Sequence, residues 1–143
     1  MRSLVTGGTG FVGHHLIERL DRPAVLGRSI RKINRLAADV IPCQWQPGTS
    51  LDPHKLNGID TVFHLAGESV FKGRWNENKK ERIMASRVEG TRSLVQALGE
   101  LERPPATFVC ASAIGYYGAR GEEALTESTA PGNDFLARVC LAW

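Results

Sequence analysis

A glycine-rich segment near the N-terminus has the residue types and the spacing of a phosphate-binding turn. Gly8, Gly10 and Gly13 form the pattern G-x-G-x-x-G, and Gly7 gives the turn extra freedom. In this pattern one glycine permits a tight turn, one lets the backbone approach a pyrophosphate, and one lets a helix pack closely on a strand. The helix that follows directs its N-terminal amides and the positive end of its dipole at the phosphates. The candidate phosphate-binding residues are Gly7, Gly8, Thr9, Gly10, Phe11, Val12 and Gly13.

The residues on either side of these glycines favour a nucleotide-binding turn. Arg2–Val5 has the pattern of a short strand before the turn. Apolar residues follow at helical spacing after it. These are Phe11, Val12, Leu16, Ile17 and Leu20. A strand, a glycine-rich turn and a helix in succession are the context that the motif requires, and a glycine-rich hairpin loop is the alternative interpretation.

A basic residue follows the second predicted strand, Ala24–Gly27. Many dinucleotide-binding folds carry a carboxylate there, which bonds the ribose 2′-hydroxyl. This sequence has Arg28 and Ser29 instead, and a guanidinium group pairs with a 2′-phosphate that a carboxylate would repel. The pattern favours NADP over NAD. The alternative is a solvated helix face, because the basic residues between 28 and 35 also have helical spacing.

A small residue and a glycine follow the fourth predicted strand, Asp60–Leu65. Ala66 and Gly67 let the backbone approach a ligand at the carboxyl end of a strand, where open parallel sheets bind their ligands. We interpret His64, inside the strand, as a packed structural residue rather than a catalytic base.

A long helix is predicted over Asn76–Leu98. Its apolar stripe comprises Ile83, Met84, Val88, Thr91, Leu94, Val95 and Leu98. Arg87 lies near this stripe, so we predict that it points into the cofactor crevice. Most other basic residues of its first half, which include Lys79 and Lys80, are predicted to be solvated. Gly90 costs about 1 kcal/mol relative to alanine in a helix, which close packing against the sheet would explain.

Strands and helices alternate along the chain, which predicts an α/β doubly wound parallel sheet, a Rossmann fold, in strand order 3-2-1-4-5. The predicted strands are Arg2–Val5, Ala24–Gly27, Val40–Trp45, Asp60–Leu65 and Thr107–Ala111. We see no linker that would divide residues 1–143 into two domains.

Composition excludes several functional classes. The net charge of +3 among 143 residues is modest for a nucleic-acid-binding protein. No apolar run approaches the roughly 18–20 residues of a membrane helix, and no signal peptide is visible. The three cysteines lack CxxC spacing. They are typical of reduced thiols in a cytoplasmic protein and predict neither disulfides nor a metal site.

With these motifs together, the chain resembles the extended short-chain dehydrogenase/reductase superfamily, and within it the epimerase family proteins related to sugar-nucleotide epimerases. The matching segments are Thr-Gly-Gly-Thr-Gly-Phe-Val-Gly (6–13), Leu-Ala-Gly-Glu (65–68), Gly-Arg-Trp (73–75), Ser-Arg-Val-Glu-Gly-Thr (86–91), Ser-Ala-Ile-Gly-Tyr-Tyr-Gly (112–118) and Asp-Phe-Leu-Ala-Arg-Val-Cys-Leu-Ala-Trp (134–143). The resemblance implies that Gly7, Gly10 and Gly13 wrap a pyrophosphate and that Arg28 meets the adenosine phosphate. It also implies that Leu65 and Ala66 border the cofactor and that Arg82 and Arg87 reach it.

The sequence departs from this superfamily at the catalytic positions. Active members use a serine or threonine with a Tyr-x-x-x-Lys pair, but this chain has Phe135 and Val139 where the pair would lie. The usual serine falls on Ala113, one residue after Ser112. Phenylalanine cannot transfer a proton, so the usual mechanism cannot be carried over. Hydroxyl groups near the end of the fifth strand are the remaining candidates. The candidate catalytic residues are Ser112 and Tyr117, with Tyr116 beside them.

Two functions therefore stay open. One is an NADP-dependent oxidoreductase or epimerase that acts on a nucleotide-sugar-like substrate. The other is an NADP-binding redox sensor or scaffold without turnover. Asn133–Trp143 begins a helix in which the sequence stops, so we expect the N-terminal cofactor-binding part of a longer protein, without the substrate-binding part. An uncovered sheet edge would then favour association, including a homo-oligomer.

Overall fold

Five parallel strands form the sheet in the computed structural model, which describes residues 2–143. They are β1 (Ser3–Thr6), β2 (Ala24–Gly27), β3 (Ile41–Gln44), β4 (Thr61–His64) and β5 (Thr107–Cys110). Their order is β3-β2-β1-β4-β5, and every pairing is parallel. The predicted fold class and strand order are confirmed, and β2 has the predicted bounds. The other strands differ from their predicted bounds by one residue at one or both ends.

Helices cover both faces of this sheet. They are α1 (Phe11–Ile17), α2 (Ile30–Ile33) and α3 (Glu77–Gly99), and a 3₁₀ turn spans Pro53–Leu56. Asn76 caps α3, because its side-chain oxygen accepts a hydrogen bond from the Lys79 amide at 2.8 Å. The capping residue explains why the helix begins one residue after the predicted start.

The core has two layers because adjacent strand residues point to opposite faces. Leu4 of β1 belongs to one apolar cluster, with Leu94 of α3. Val5 belongs to the other, with Ile17 of α1 and Ile33 of α2. Strands that are buried on both faces are typical of parallel sheets, in which crossover helices cover each side.

Two details of the predicted α3 interface are wrong. Val95 is 49% exposed, whereas Ala97 is buried in its place. The close packing at Gly90 is not against the sheet, because a Cβ built there would lie 2.9 Å from the Pro47 Cβ atom. The loop after β3, which carries Pro47, therefore makes the close approach to the helix.

The chain divides into two compact units at the end of the sheet. The first unit ends at Ala111, and the second spans Ser112–Trp143. The second contains a 3₁₀ turn, Ile114–Tyr117, and helix α4, Phe135–Ala142. Asp134 caps α4 by accepting a hydrogen bond from the Ala137 amide at 2.8 Å. Residues 119–127 contain neither helix nor strand.

Candidate functional site

Gly7 makes the tight turn at the carboxyl end of β1. Its φ of +72° is a backbone conformation that side chains disfavour, and a Cβ there would lie 2.7 Å from the Leu65 carbonyl oxygen. The turn therefore packs directly against the backbone that leaves β4. This contact brings two of the predicted cofactor segments, the 7–13 turn and the end of β4, into one place.

Gly13 and Gly10 differ in what surrounds them. A Cβ on Gly13 would overlap the Gly7 carbonyl oxygen and lie 2.8 Å from the Gly8 Cα atom. Gly13 thus lets α1 pack on the turn itself. For Gly10 the nearest atom to such a Cβ, and the only one within 4 Å, is the Gly7 carbonyl oxygen at 3.2 Å. Gly10 is exposed, so the approach of a ligand explains its missing side chain better than internal packing does.

The start of α1 is open and uncapped by any side chain. Gly10 occupies the N-cap position, and no side-chain hydrogen bond is made to the first turn. Phe11 and Val12 are 83% and 63% exposed, and Thr9 is exposed beside them. A glycine-rich turn that leads into an uncapped helix start fits a pyrophosphate, whose oxygens accept hydrogen bonds from backbone amides.

A buried hydroxyl joins β1 to the end of β4. The Thr6 hydroxyl oxygen accepts hydrogen bonds from the Leu65 and Ala66 amides, both at 3.1 Å. Its hydrogen is thereby left for the Nδ1 atom of His64, 2.8 Å away. The hydroxyl holds the predicted ligand-facing residues Leu65 and Ala66 against the strand that precedes the glycine turn.

This arrangement determines the tautomer of His64. Because Nδ1 accepts a hydrogen bond, the hydrogen of the neutral ring lies on Nε2, which donates to the Thr91 hydroxyl of α3 at 3.0 Å. Burial lowers the pKa of His64 to about 4, so the ring is neutral near pH 7. His64 is fully buried. The interpretation of His64 as a packed structural residue is confirmed.

The backbone after β4 is also held to α3. The Glu68 amide donates to the Ser86 hydroxyl at 2.9 Å, and the Arg87 guanidinium donates to the Glu68 carbonyl at 3.1 Å. A Cβ on Gly67 would lie 2.9 Å from the Arg87 Cζ atom, so Gly67 permits the guanidinium to lie against the loop. Arg87 thus borders the candidate site through Gly67, and its contact with a cofactor stays a prediction.

Lys79 and Glu68 form an ion pair beside this loop. The Lys79 Nζ and Glu68 Oε1 atoms are 2.7 Å apart, and the Lys79 side chain is 3% exposed. Lys79 is therefore an exception to the expectation that most of these basic residues are solvated. The Lys79 hydrogen bond lowers the pKa of the Glu68 carboxyl, burial opposes this, and the charges of Lys79, Arg28 and Arg82 lower it further. The charges of two predicted cofactor-binding arginines thus act on the Glu68 carboxyl.

Arg28 and Ser29 follow β2 as the sequence predicts. Arg28 is exposed. Ser29 caps α2, where its hydroxyl oxygen accepts a long hydrogen bond from the Lys32 amide at 3.4 Å. A hydroxyl that accepts one bond can still donate its hydrogen to an anion.

Sequence reasoning missed Thr6, Ser86 and the pairing of Glu68 with Lys79, and no spacing pattern in the sequence indicates them.

The candidate catalytic residues lie in the second unit. Ser112 is exposed, and Tyr117 is half-buried with its ring 5.1 Å from that of Tyr116 in an edge-on arrangement. Tyr117 also lines a pocket of about 230 Å³. Val139 of α4 is 2% exposed. The catalytic role of Ser112 and Tyr117 stays a prediction.

Within residues 2–143, no group of three or more histidine, cysteine, aspartate or glutamate side chains could hold a metal ion. No α-helix in that range is long and apolar enough to cross a membrane.

Comparison with known proteins shows to which family the chain belongs. Residues 3–138 match the profile of the NAD dependent epimerase/dehydratase family. The chain belongs to this family. Epimerase family protein YfhF of Bacillus subtilis (strain 168) is 34% identical over an alignment of 148 residues, which covers 100% of this chain and 48% of YfhF. The resemblance to epimerase family proteins that the sequence motifs carry is thus confirmed.

Solved structures of related proteins have the same fold. Human epimerase family protein SDR39U1 (isoform 2), solved with NADPH, superposes with a TM-score of 0.79 at 26% identity, over 100% of this chain and 47% of that one. The nucleoside-diphosphate sugar epimerase from Corynebacterium glutamicum superposes with a TM-score of 0.68 at 30% identity, over 100% of this chain and 29% of that one. The chain spans about half the length of YfhF and of the human family member.

Proposed function

We propose that this chain is the NADP(H)-binding part of an oxidoreductase or epimerase of the NAD dependent epimerase/dehydratase family. The observation that carries the proposal is the open turn at Gly10, which leads into the uncapped start of α1 beside the ends of β1 and β4. The proposed cofactor residues are those of the 7–13 turn, then Arg28, Ser29, Leu65, Ala66, Gly67, Arg82 and Arg87.

The basic residues around the loop after β4 favour NADP(H) over NAD(H). Arg28 and Arg82 both act on the charge of Glu68, so their guanidinium groups supply positive charge to the same region. A guanidinium fork suits a phosphate, and the Ser29 hydroxyl adds a donor. The human family member, at 26% identity, was solved with NADPH.

When bound, a nicotinamide cofactor accepts or donates a hydride. The residues of this chain would hold it: backbone amides of the turn would bind the pyrophosphate, and Arg28 would bind the adenosine phosphate. The Thr6 hydroxyl, through its bonds to the Leu65 and Ala66 amides, keeps the end of β4 in position beside the turn.

The proposed substrate is a nucleotide-sugar-like molecule, in keeping with the nucleoside-diphosphate sugar epimerase at 30% identity. The second candidate function is a cofactor-binding sensor or scaffold without turnover. Phe135 and Val139 favour it, because neither side chain can transfer a proton or bind ribose. The chain has three cysteines without CxxC spacing, which supports a proposed cytoplasmic location.

Cofactor titration of the wild type and of Arg28→Ala tests the cofactor proposal. One charged hydrogen bond to a 2′-phosphate corresponds to about a tenfold to hundredfold tighter Kd for NADPH than for NADH. We expect Arg28→Ala to lose most of that preference, whereas Arg35→Ala, which also removes an exposed arginine, should keep it. Equal wild-type Kd values, or an equal loss for both cofactors in Arg28→Ala, would show that Arg28 is only a solvated charge.

A turnover assay separates the two candidate functions. It follows both NADPH oxidation and the interconversion of the sugars when the full-length protein is mixed with a panel of nucleotide sugars. An enzyme oxidises bound NADPH, or interconverts sugars, with at least one of them. A sensor or scaffold binds NADPH with the same affinity and transfers no hydride to any of them.

A further inference from the structure

A tight turn follows the 3₁₀ turn Pro53–Leu56 and leads toward β4. Asn57 has φ −56° and ψ +134°, and Gly58 has φ +75°. These angles are those of the two central residues of a type II β-turn, which the Ile59 amide closes by donating to the Leu56 carbonyl at 3.2 Å. The third residue of such a turn needs a positive φ, which favours glycine directly after the asparagine.

The side chain of Asn57 and the amide of Gly58 are both accessible. The two residues are exposed, and they line a pocket of about 400 Å³. Within residues 2–143, neither the Asn57 carboxamide nor the Gly58 amide takes part in a hydrogen bond. Glycine follows none of the other four asparagines of the chain. Asn57 therefore combines an unbonded side chain with an unhindered neighbouring nitrogen.

An asparagine in this setting can lose its side-chain amide without an enzyme, and asparagine is among the thermolabile residues of proteins. The Gly58 nitrogen attacks the Asn57 Cγ atom, the carbon–nitrogen bond of the carboxamide breaks, and ammonia leaves with the proton of the Gly58 amide. Water then opens the cyclic imide at either carbonyl and leaves an aspartate, or an isoaspartate whose main chain is one carbon longer. Nothing is oxidised or reduced. Glycine permits the attack because no Cβ atom hinders its nitrogen.

Arg2 opposes this attack. Its Nη1 atom donates to the Asn57 carbonyl oxygen at 2.9 Å, and its amide donates to the Asp60 carboxylate at 2.7 Å. In the cyclic imide the Gly58 nitrogen eclipses the Asn57 Cβ atom, so the peptide between the two residues has to rotate from the observed ψ of +134°. Since the Asn57 carbonyl oxygen moves with that peptide, the rotation breaks its bond to the guanidinium group.

We propose that Asn57 is a site of spontaneous deamidation and that the hydrogen bond from Arg2 limits its rate. Asn57 precedes β4, whereas the candidate cofactor residues Leu65–Gly67 follow that strand. The two sites lie at opposite ends of β4, and the inference does not depend on the proposed function.

Peptide mapping by mass spectrometry of the full-length protein, held at pH 8 for several weeks, tests the site. We expect Asn57 to convert at least about tenfold faster than Asn34, which is also exposed but precedes an arginine, because a small difference in activation free energy suffices for such a factor. Gly58→Ala should slow the conversion, since its Cβ atom hinders the nitrogen and opposes the positive φ. Asn57→Gln should remove the acidic species that ion-exchange chromatography separates from the aged wild type.

A second pair of variants tests the role of Arg2. Arg2→Met removes one charged hydrogen bond, and we expect Asn57 to convert up to about tenfold faster in it than in the wild type. Arg19→Met is the matched control, because Arg19 is exposed and also donates to a backbone carbonyl, that of His15 at 2.9 Å. It should leave the rate at Asn57 unchanged. The rate at Asn34 in each sample reports any general loosening of the fold.

The outcomes decide the two parts of the proposal separately. Conversion of Asn57 no faster than that of Asn34, or acidic species that persist in Asn57→Gln, would overturn the site. An unchanged rate in Arg2→Met, or an equal acceleration at Asn57 and Asn34, would overturn the role of Arg2. Every measurement is made without cofactor, so a failure of the proposed function leaves each of these results unaffected.

Discussion

His64 is a buried residue whose hydrogen bonds help to hold the backbone of the candidate site in place. Its neutral ring accepts a hydrogen bond from Thr6 at Nδ1 and donates one to Thr91 at Nε2. Protonation would place a hydrogen on Nδ1 and turn the Thr6 contact into a meeting of two donors. The hydroxyl would then have to release the Leu65 and Ala66 amides or lose its bond to the ring.

This arrangement predicts a loss of stability in mild acid. Burial lowers the pKa of His64 from 6.5 to about 4, so between these values the unfolded chain binds a proton that the folded protein does not. Stability is then complete above pH 6.5 and falls as the pH is lowered to 4, by roughly 3 kcal/mol in total. Urea unfolding of the wild type and of His64→Asn from pH 7 to 4.5 measures the difference.

The asparagine keeps an acceptor for the Thr6 hydroxyl but does not titrate. We expect its stability to change less over this range than that of the wild type. His54→Asn, at an exposed position, serves as the control and should follow the wild-type curve. Parallel pH profiles for His64→Asn and the wild type would mean that His64 is protonated alike in the folded and unfolded states.

At the scale of elements, the glycine turn and α1 give two substitutions that should affect different properties, one cofactor binding and the other folding stability. Gly10→Val places a side chain on the open face of the turn, so we expect a folded protein with at least about tenfold weaker NADPH binding, the loss of a charged hydrogen bond or more. Gly13→Ala forces a methyl group onto the Gly7 carbonyl oxygen. Overpacking of this kind costs about 1–3 kcal/mol of folding stability. Cofactor titration and urea unfolding of both variants distinguish the two roles, and unchanged NADPH affinity in a folded Gly10→Val would reject the proposed phosphate site.

Helix α3 contains a second matched pair of glycines. At Gly90 the gain in helix propensity from alanine, about 1 kcal/mol, competes with a Cβ placed 2.9 Å from the Pro47 Cβ atom. The proline ring is rigid, so we expect Gly90→Ala to be destabilising. At Gly99 a new Cβ meets no atom within 4 Å, and Gly99→Ala should stabilise by about 0.5–1 kcal/mol. Thermal or urea unfolding of both variants measures whether each substitution raises or lowers the folding stability. A stabilising Gly90→Ala would show that the Pro47 loop moves aside with little loss of stability.

At the scale of the whole molecule, β5 is an exposed edge of the sheet. All four of its residues are exposed, and the apolar side chains of Phe108 and Val109 are 39% and 44% exposed. Unpaired backbone groups beside apolar side chains are a template for association with another chain. We therefore expect this chain by itself to associate as its concentration rises.

Sedimentation of the wild type and of Val109→Lys tests this expectation. A charge on the edge strand should shift the distribution toward the monomer, because edge lysines oppose strand pairing. Val95→Lys introduces the same charge at a similarly exposed position of α3 and should have a smaller effect. A wild type that stays monomeric at every concentration would show that this edge does not drive association.

Local patterns in the sequence determined the fold and the glycine-rich turn after β1. Ala24–Gly27 reads as an apolar strand and forms β2 with the same bounds, and the glycine spacing of 7–13 forms the turn before α1. Such features follow from the sequence because they depend on neighbouring residues: apolar runs specify strands, and glycine permits the positive φ at Gly7.

Only the tertiary structure decided which polar groups meet. Thr6 bonds His64 across 58 positions of sequence, and Glu68 pairs with Lys79 although most basic residues in that half of the helix are predicted to be solvated. The sequence likewise does not show that Pro47 approaches Gly90. Helical periodicity reports which face of a helix is apolar. It cannot report which charge a distant loop brings to that face, and burial of a polar group depends on such a partner.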